Sequence, residues 1–309
     1  MKGYTWELPP SPDTRRQHRI TVFGIGTTGI RVADHLHQLA VKDVHFIICH
    51  IDKSLLRAST VPNKLLYEAE PDYQEAEQNL MEDLETVLKS SEMTIVVTDL
   101  SDLVDCHLAD AAIQVLTKLG EFSLVAVGLP TVADPLLREK VDQAMVALQR
   151  QANSLLVYEQ EQKEPEQRFL QLAEATFRLT EFCQGFIDED FDVLHKLIKS
   201  PGRIAITTGK AMGHERVYNA IDEVAAQLID QSFDWKRTQE LMLIASCDSY
   251  TSALAREHME LMMQLINSIG IEPAVVKQGF ITDNRLGEWL TINVLFWMPL
   301  DIAQLTLRT

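Results

Sequence analysis

The segment that most constrains this chain is an apolar run that leads into the pattern G-x-G-x-x-G. The three glycines are Gly24, Gly26 and Gly29, and residues 30–40 carry apolar side chains at helical spacing. A strand that turns on glycines into a helix directs backbone N–H groups and the positive end of the helix dipole at one spot, which suits a phosphate. The same turn also packs a helix on a sheet, so the motif alone leaves both interpretations open.

Strand-like and helix-like patterns alternate along the first half of the chain. The predicted strands cover residues 20–23, 44–51, 93–98, 123–127 and 154–158, and the predicted helices cover residues 30–40, 75–89, 105–119 and 134–151. This alternation predicts an α/β fold with a Rossmann-like, doubly wound parallel sheet. Such sheets bind ligands at the carboxyl ends of their strands. We therefore expect the loops that begin at Gly24, Asp52, Asp99 and Gly128 to line one rim.

In the second half of the chain the predicted helices and strands follow a different order. A long central helix is predicted over residues 169–186, and further helices over 215–229 and 252–269. Strands are predicted over 240–247, 272–281 and 289–297, the last two joined as a hairpin through turn residues at 282–287. The expected parts are an N-terminal arm (1–18), a Rossmann-like domain (19–166), a central helix with an acidic loop (167–200) and a smaller α/β C-terminal domain (201–309).

Composition narrows the classes of partner. The formal net charge of −17 argues against nucleic acid, which is held by clustered Lys and Arg, and against unaided adhesion to anionic lipid. No signal peptide and no apolar run near the ~20 residues of a membrane span is visible, so a cytoplasmic protein without direct membrane insertion is expected.

The four cysteines give no sign of a metal or redox site. Cys49, Cys106, Cys183 and Cys247 are far apart in the sequence, and no zinc spacing is present. We predict reduced, mostly buried thiols and no metal site.

Five segments, taken in order, resemble the bacterial division tubulin family, FtsZ, over residues 19–298. They are the glycine turn, the strand and loop at 46–52, Gln184-Gly185 as the end of the central helix, the Gly/Ala pattern at 202–216, and the strand region 279–295. The resemblance implies an FtsZ/tubulin-like fold and a GTP site. Its nucleotide-binding residues would be Gly24, Gly26, Thr27, Thr28, Gly29, Asp52, Asp134 and Arg138, and its catalytic acids Asp188, Asp190 and Asp192.

The chain departs from the family at the loop that wraps the phosphates. The family has a glycine-rich run there, whereas this chain has Asp99, Asp102 and Asp105 and no glycine. Side chains block the close backbone approach of a phosphate cradle. A carboxylate ~5 Å from a phosphate costs about 3 kcal/mol at an effective dielectric constant of ~20. We therefore do not expect tight GTP binding in the family's manner.

Other departures concern the base and the catalytic loop. Phe177 stands where the family has an acid that reads guanine, and Arg31 replaces an asparagine just after the glycine turn. The connection from Gly185 to the acidic loop is also shorter than the family pattern.

Three functions follow from these observations. The first is an FtsZ-like protein with impaired or absent GTPase activity, which acts through contacts with itself or a related FtsZ-like protein as an assembly or regulatory partner in a division- or membrane-associated complex. The alternative is a weak GTP-binding, polymerising FtsZ-like GTPase, with GTP as its ligand. The third is an NAD-dependent oxidoreductase, because the glycines and Asp52 also fit the dinucleotide fingerprint; no catalytic His or Lys constellation supports it.

Overall fold

The computed structural model describes residues 18–67, 73–89, 91–130, 134–159, 165–187, 201–230, 234–248, 273 and 275–300. The strands are β1 His18–Ile25, β2 Val44–His50, β3 Asn63–Leu66, β4 Ser91–Thr98, β5 Phe122–Leu129, β6 Ser154–Glu159, β7 Gly202–Met212, β8 Glu240–Cys247, β9 Val275–Thr282 and β10 Trp289–Pro299. The α-helices are α1 Gly26–Gln38, α2 Lys53–Ala58, α3 Tyr73–Leu88, α4 Leu103–Leu119, α5 Pro135–Gln151, α6 Pro165–Ile187 and α7 Arg216–Asp230.

These strands form one sheet in the order β3-β2-β1-β4-β5-β6-β7-β10-β8-β9. Every pair from β3 to β7 is parallel. Strand β10 runs antiparallel to both β7 and β8, and β9 is parallel to β8. The predicted α/β class, with a mostly parallel sheet and a smaller second unit after a long helix, is confirmed.

Helices cover both faces of the parallel part of the sheet. Helices α1 and α6 contribute Leu36 and Leu172 to an apolar cluster on one face. Helices α3, α4 and α5 contribute to the cluster on the other face, and α7 packs separately on β7, β8 and β10. Sheets with both faces covered need continuous apolar strands, and β4 and β5 are buried along nearly their whole lengths.

Two short elements escaped prediction, and one predicted pairing is wrong. Helix α2 and strand β3 are too short and too polar to give a periodic signal. Strand β7 is longer, but the sequence indicates only a Gly/Ala pattern there and no strand. The predicted hairpin does not form, because β8 lies between β9 and β10. Strand β8 is buried at all but its first residue and takes the inner position, whereas β9 carries the exposed Lys277 and lies at the edge.

Three predictions fall on parts of the chain outside the described residues. These are the N-terminal arm up to residue 17, the helix at 252–269 and the acidic loop. The domain boundaries stay a prediction. Among the described residues, no helix has the length and apolar character that crossing a membrane requires.

Close packing of α7 on β7 requires a glycine. A Cβ atom on Gly209 would overlap the backbone of Ala220. We expect Gly209→Ala to lower the free energy of unfolding by about 3 kcal/mol, because backbone atoms cannot move aside as a flexible side chain can. Urea denaturation measures this, with Gly128→Ala as the control, since its Cβ would meet only ordinary contacts at 3.4 Å. Equal losses in the two variants would contradict the packing argument.

Candidate functional site

Loops that follow β1, β4 and β5 meet at the carboxyl edge of the parallel sheet. The Thr28 hydroxyl donates to Asp99 Oδ2 at 2.5 Å, which joins the first turn of α1 to the residue after β4. Gly128, near the end of β5, lies beside Asp99, because a Cβ placed there would be 3.4 Å from Asp99 Cβ. Three of the four loops predicted to line a rim are thus in contact.

The three glycines of the turn have different roles. A Cβ on Gly24 would overlap the carbonyl of Gly29, and a Cβ on Gly29 would overlap the carbonyl of Val97. These two glycines therefore allow α1 to begin tightly against β1 and β4. Gly26 instead has a φ of +74°, in the left-handed region that favours glycine.

A carboxyl group of the chain itself lies against Gly26. Helix α4 begins at Leu103, and its N-cap Asp102 accepts a hydrogen bond from the Asp105 N–H at 2.8 Å. This places Asp105 in the first turn, where only 2% of its surface is exposed. A Cβ on Gly26 would overlap the Asp105 carboxyl group. Asp105 thus occupies the space next to the glycine at which α1 begins.

The surroundings of Asp105 favour its neutral form. Burial, followed by the charges of Asp102 and Asp99, raises its pKa to about 7. The Ser101 hydroxyl donates to Asp105 Oδ2 at 2.9 Å, and this hydrogen bond offsets part of the rise in pKa. Asp99 is only 5% exposed, and within the described part of the chain its Oδ1 has no hydrogen-bond partner. The site is a cluster of three carboxyl groups, of which those of Asp99 and Asp105 are buried, and hydroxyl groups support it.

Two buried thiols lie near this cluster. Burial, and then the charge of Asp105, raises the pKa of Cys49 far above its usual range and that of Cys106 to about 12. Both thiols, and that of Cys247, form no disulfide bond and are buried as predicted, while the side chain of Cys183 lies outside the described residues. Protonated thiols are poor nucleophiles and poor metal ligands. No group of His, Cys, Asp and Glu that could hold a metal occurs among the described residues.

The remaining predicted nucleotide residues lie around the rim. Asp52 caps α2 by accepting from the Ser54 N–H at 2.7 Å and the Ser54 hydroxyl at 2.6 Å, and these bonds lower its pKa. Asp134 caps α5 by accepting from Leu136 N–H at 2.8 Å. Thr27 and Arg138 are exposed. The roles of all these residues toward a nucleotide stay predictions, and Asp188, Asp190 and Asp192 lie outside the described residues.

Helix α1 is also joined to the start of α6, a contact that sequence reasoning missed. Arg31 Nη2 lies 2.7 Å from Glu166 Oε2, and the guanidinium lies 4.3 Å from the centre of the Phe169 ring. His35 meets the same ring edge-on at 5.8 Å. Phe177, two turns further along α6, is half-buried against the core. The sequence features that could have indicated this contact are the basic Arg31 on α1 and the acidic Glu166 and aromatic Phe169 at the start of α6.

Polar groups also connect α6 to the second unit. Arg178 pairs with Glu181 at 2.7 Å, Asn293 donates to the same carboxylate at 3.2 Å, and Thr208 donates to Asn293 at 2.9 Å. Burial raises the pKa of Glu181, and Arg178 counters the shift. A cavity of about 380 Å³ lies beside this network, lined by Tyr158, Leu170, Gln171, Glu174, Ala175, Arg178, Ile206, Thr208 and Gln227.

The hydrogen bond between Thr28 and Asp99 can be tested directly. Thr28→Val keeps the shape of the side chain but leaves the buried Asp99 carboxyl without its hydroxyl donor. We expect the free energy of unfolding to fall by about 1–3 kcal/mol. Thermal unfolding measures the loss, and Thr27→Val at the exposed neighbouring position is the matched control. A loss no greater than that of the control would show that this bond contributes nothing.

Comparison with known proteins gives a fold but no sequence family. No protein-family model matches the chain, and no curated protein matches it in sequence. A point mutant of FtsZ from M. jannaschii superposes with a TM-score of 0.75 at 16% identity, covering 91% of each chain. An empty FtsZ dimer from M. jannaschii gives 0.72 at 15% identity, covering 92% of this chain and 89% of that one. GDP-bound monomeric CetZ1 from Haloferax volcanii gives 0.70 at 12% identity, covering 94% and 98%.

Proposed function

From a fold shared with FtsZ and CetZ, we propose that this chain is an FtsZ-like protein with impaired or absent GTPase activity. It acts in the cytoplasm through protein contacts, as an assembly or regulatory partner in a division- or membrane-associated complex. The observation that carries the proposal is the Asp105 carboxyl group against Gly26. That carboxyl lies beside the start of α1, the end of the helix at which a phosphate would bind.

Both space and charge at the turn oppose a nucleotide. A phosphate at Gly26 would need the buried Asp105 side chain to leave its position. Each ionised carboxylate that remained within ~5 Å would add about 3 kcal/mol of repulsion at an effective dielectric constant of ~20. Asp99 and Asp102 stay nearby after such a movement, because Asp99 is bonded to Thr28 and Asp102 caps α4.

The contact between α1 and α6 is a second and weaker obstacle to nucleotide binding at the glycine turn. Arg31 and Glu166 are both substantially exposed, so their ion pair contributes at most about 1 kcal/mol. The cation–π contact with Phe169 contributes a similar amount. A ligand could displace these groups at small cost. The Asp105 carboxyl is therefore the main reason to expect weak or absent nucleotide binding.

The rim has features of a protein-binding surface. Exposed Ile51, Leu103 and Leu136 each lie within two residues of a capping aspartate. The exposed apolar side chains and carboxylates of this surface, which we call the rim surface, suit a protein partner better than a phosphate.

A second exposed apolar surface lies where β7 ends and β10 begins. Met212 pairs with Trp289 across the two strands, and Tyr218 is exposed on the first turns of α7. Lys210 lies 4.8 Å from the centre of the Trp289 ring, and Arg216 donates to the Glu288 carbonyl at 2.9 Å. We call this the β7–β10 surface. Its cations complement the carboxylates of the rim surface, which favours a head-to-tail contact between copies or with a related subunit.

A weak GTP-binding, polymerising GTPase is the second candidate function. The left-handed Gly26 and the tight Gly24–Gly29 packing favour it, because the backbone of a phosphate-binding turn is retained. The NAD-dependent oxidoreductase has only the glycine turn and Asp52 in its favour.

Thermal unfolding with GTP, GDP, ATP and NAD, each with and without Mg²⁺, tests the proposal. A ligand at 100 times its dissociation constant stabilises a protein by about 2.7 kcal/mol, which raises the melting temperature by a few degrees. We expect no shift with any of the four. A shift with GTP that requires Mg²⁺ would contradict the proposal and support the polymerising GTPase, and a shift with NAD would support the oxidoreductase.

The β7–β10 surface can be tested by sedimentation velocity over a range of protein concentrations. We expect the wild-type protein to associate as its concentration rises and Trp289→Glu to remain monomeric. The substitution replaces the apolar ring, and the cation–π contact that the ring makes with Lys210, by a carboxylate. Leu39→Glu introduces the same charge at an exposed leucine outside both surfaces and serves as the control. A monomeric wild type, or equal loss in the control, would contradict a self-contact through this surface.

A further inference from the structure

Within the described part of the chain, the carboxyl groups of Asp99, Asp102 and Asp105 have hydroxyl groups and N–H groups as their hydrogen-bond partners. Ser101 donates to Asp105, Thr28 donates to Asp99, and Asp102 accepts from a backbone N–H. Two of the three carboxyl groups are almost fully buried. Like charges this close in a buried site cannot all ionise without a large cost, so the closed arrangement retains a proton.

We propose that Asp105 is a proton-controlled switch: as a neutral acid it holds the glycine turn and the start of α4 closed, and as a carboxylate it leaves Gly26 and loosens both. The switch lies at the site of the proposed function. Its biological role rests on that function, whereas the movement of Asp105 does not. Its effect would be to make the rim surface, which includes Leu103 at the start of α4, depend on pH.

The groups that face Asp105 are negative or neutral. From its own segment these are Asp99, Asp102 and the Ser101 hydroxyl. Strand β2 contributes the Cys49 thiol, α4 contributes the Cys106 thiol, and α3 contributes the more distant Asp83, which acts on Cys49. The first turn of α1 contributes Gly26 and the Thr28 hydroxyl. None of these side chains is a cation. The positive ends of the α1 and α4 dipoles favour an ionised Asp105, whereas burial and the charges of Asp102 and Asp99 act against it.

The direction of the pH dependence follows from proton linkage. The pKa of Asp105 is raised to about 7 in the closed site, from its ordinary value of 3.8. The closed form therefore binds the proton more tightly than an open form does. Raising the pH from about 4 to about 7 releases that proton and favours opening by about tenfold per pH unit, with no further change above about pH 7.

Amide hydrogen exchange measures this opening without any ligand. Protection factors, which divide out intrinsic exchange, would be followed at pH 5, 6, 7 and 8 for residues 29–32 and 105–108, the first positions of α1 and α4 whose N–H groups have an acceptor. We expect protection to fall by about fiftyfold between pH 5 and pH 7 and then level off. Asp105→Asn, a neutral side chain of the same shape, should remove the dependence, whereas Asp142→Asn at an exposed position of α5 should retain it.

Two results would overturn the switch: constant protection in the wild-type protein, or an unchanged pH dependence in Asp105→Asn. If that variant fails to fold, a carbon-13 titration of the wild-type Asp105 carboxyl decides, with a midpoint near 7 expected and a midpoint near 4 contradicting the proposal. Because no nucleotide is present, failure here leaves the nucleotide test of the proposed function unaffected.

Discussion

The contact between the Asp105 carboxyl group and Gly26 is the constraint on which the account of this site depends. It needs a residue without a Cβ at Gly26 and needs α4 to begin early enough to bring Asp105 inward. It also needs hydroxyl donors, which Ser101 supplies to Asp105 and Thr28 supplies to the neighbouring Asp99. A turn whose backbone suits an anion thus holds an acid from the same chain.

The fold does not depend on this contact. Its sheet is held by buried apolar strands and by helices on both faces, and the second unit is joined through β6, β7 and β10. The Trp297 indole, for example, donates to the buried Ser154 hydroxyl at 2.9 Å, far from the turn. Because the core and the turn use different residues, the turn can change its chemistry while the architecture stays close to that of FtsZ and CetZ.

Much of the fold could be predicted from the sequence because parallel sheets with covered faces give strong apolar runs. The pairing in the second unit could not, because β9 and β10 are both apolar enough to be neighbours and only burial shows that β8 lies between them. At the site, the carboxylates of Asp99, Asp102 and Asp105 and the absence of glycine between them were visible in the sequence. The position of Asp105 was not, although the pair Asp102 and Asp105 has the spacing of a helix N-cap and its third residue, which indicates a helix start at Leu103.

The most direct test of whether Asp105 blocks the turn is a crystal structure grown at pH 5, where Asp105 is neutral, with a non-hydrolysable GTP analogue and Mg²⁺ at the highest soluble concentration. If Asp105 blocks the turn, as proposed, its carboxyl group remains against Gly26 and no phosphate density lies at the start of α1. A phosphate bound by the backbone of residues 24–29, with Asp105 turned away, would contradict it.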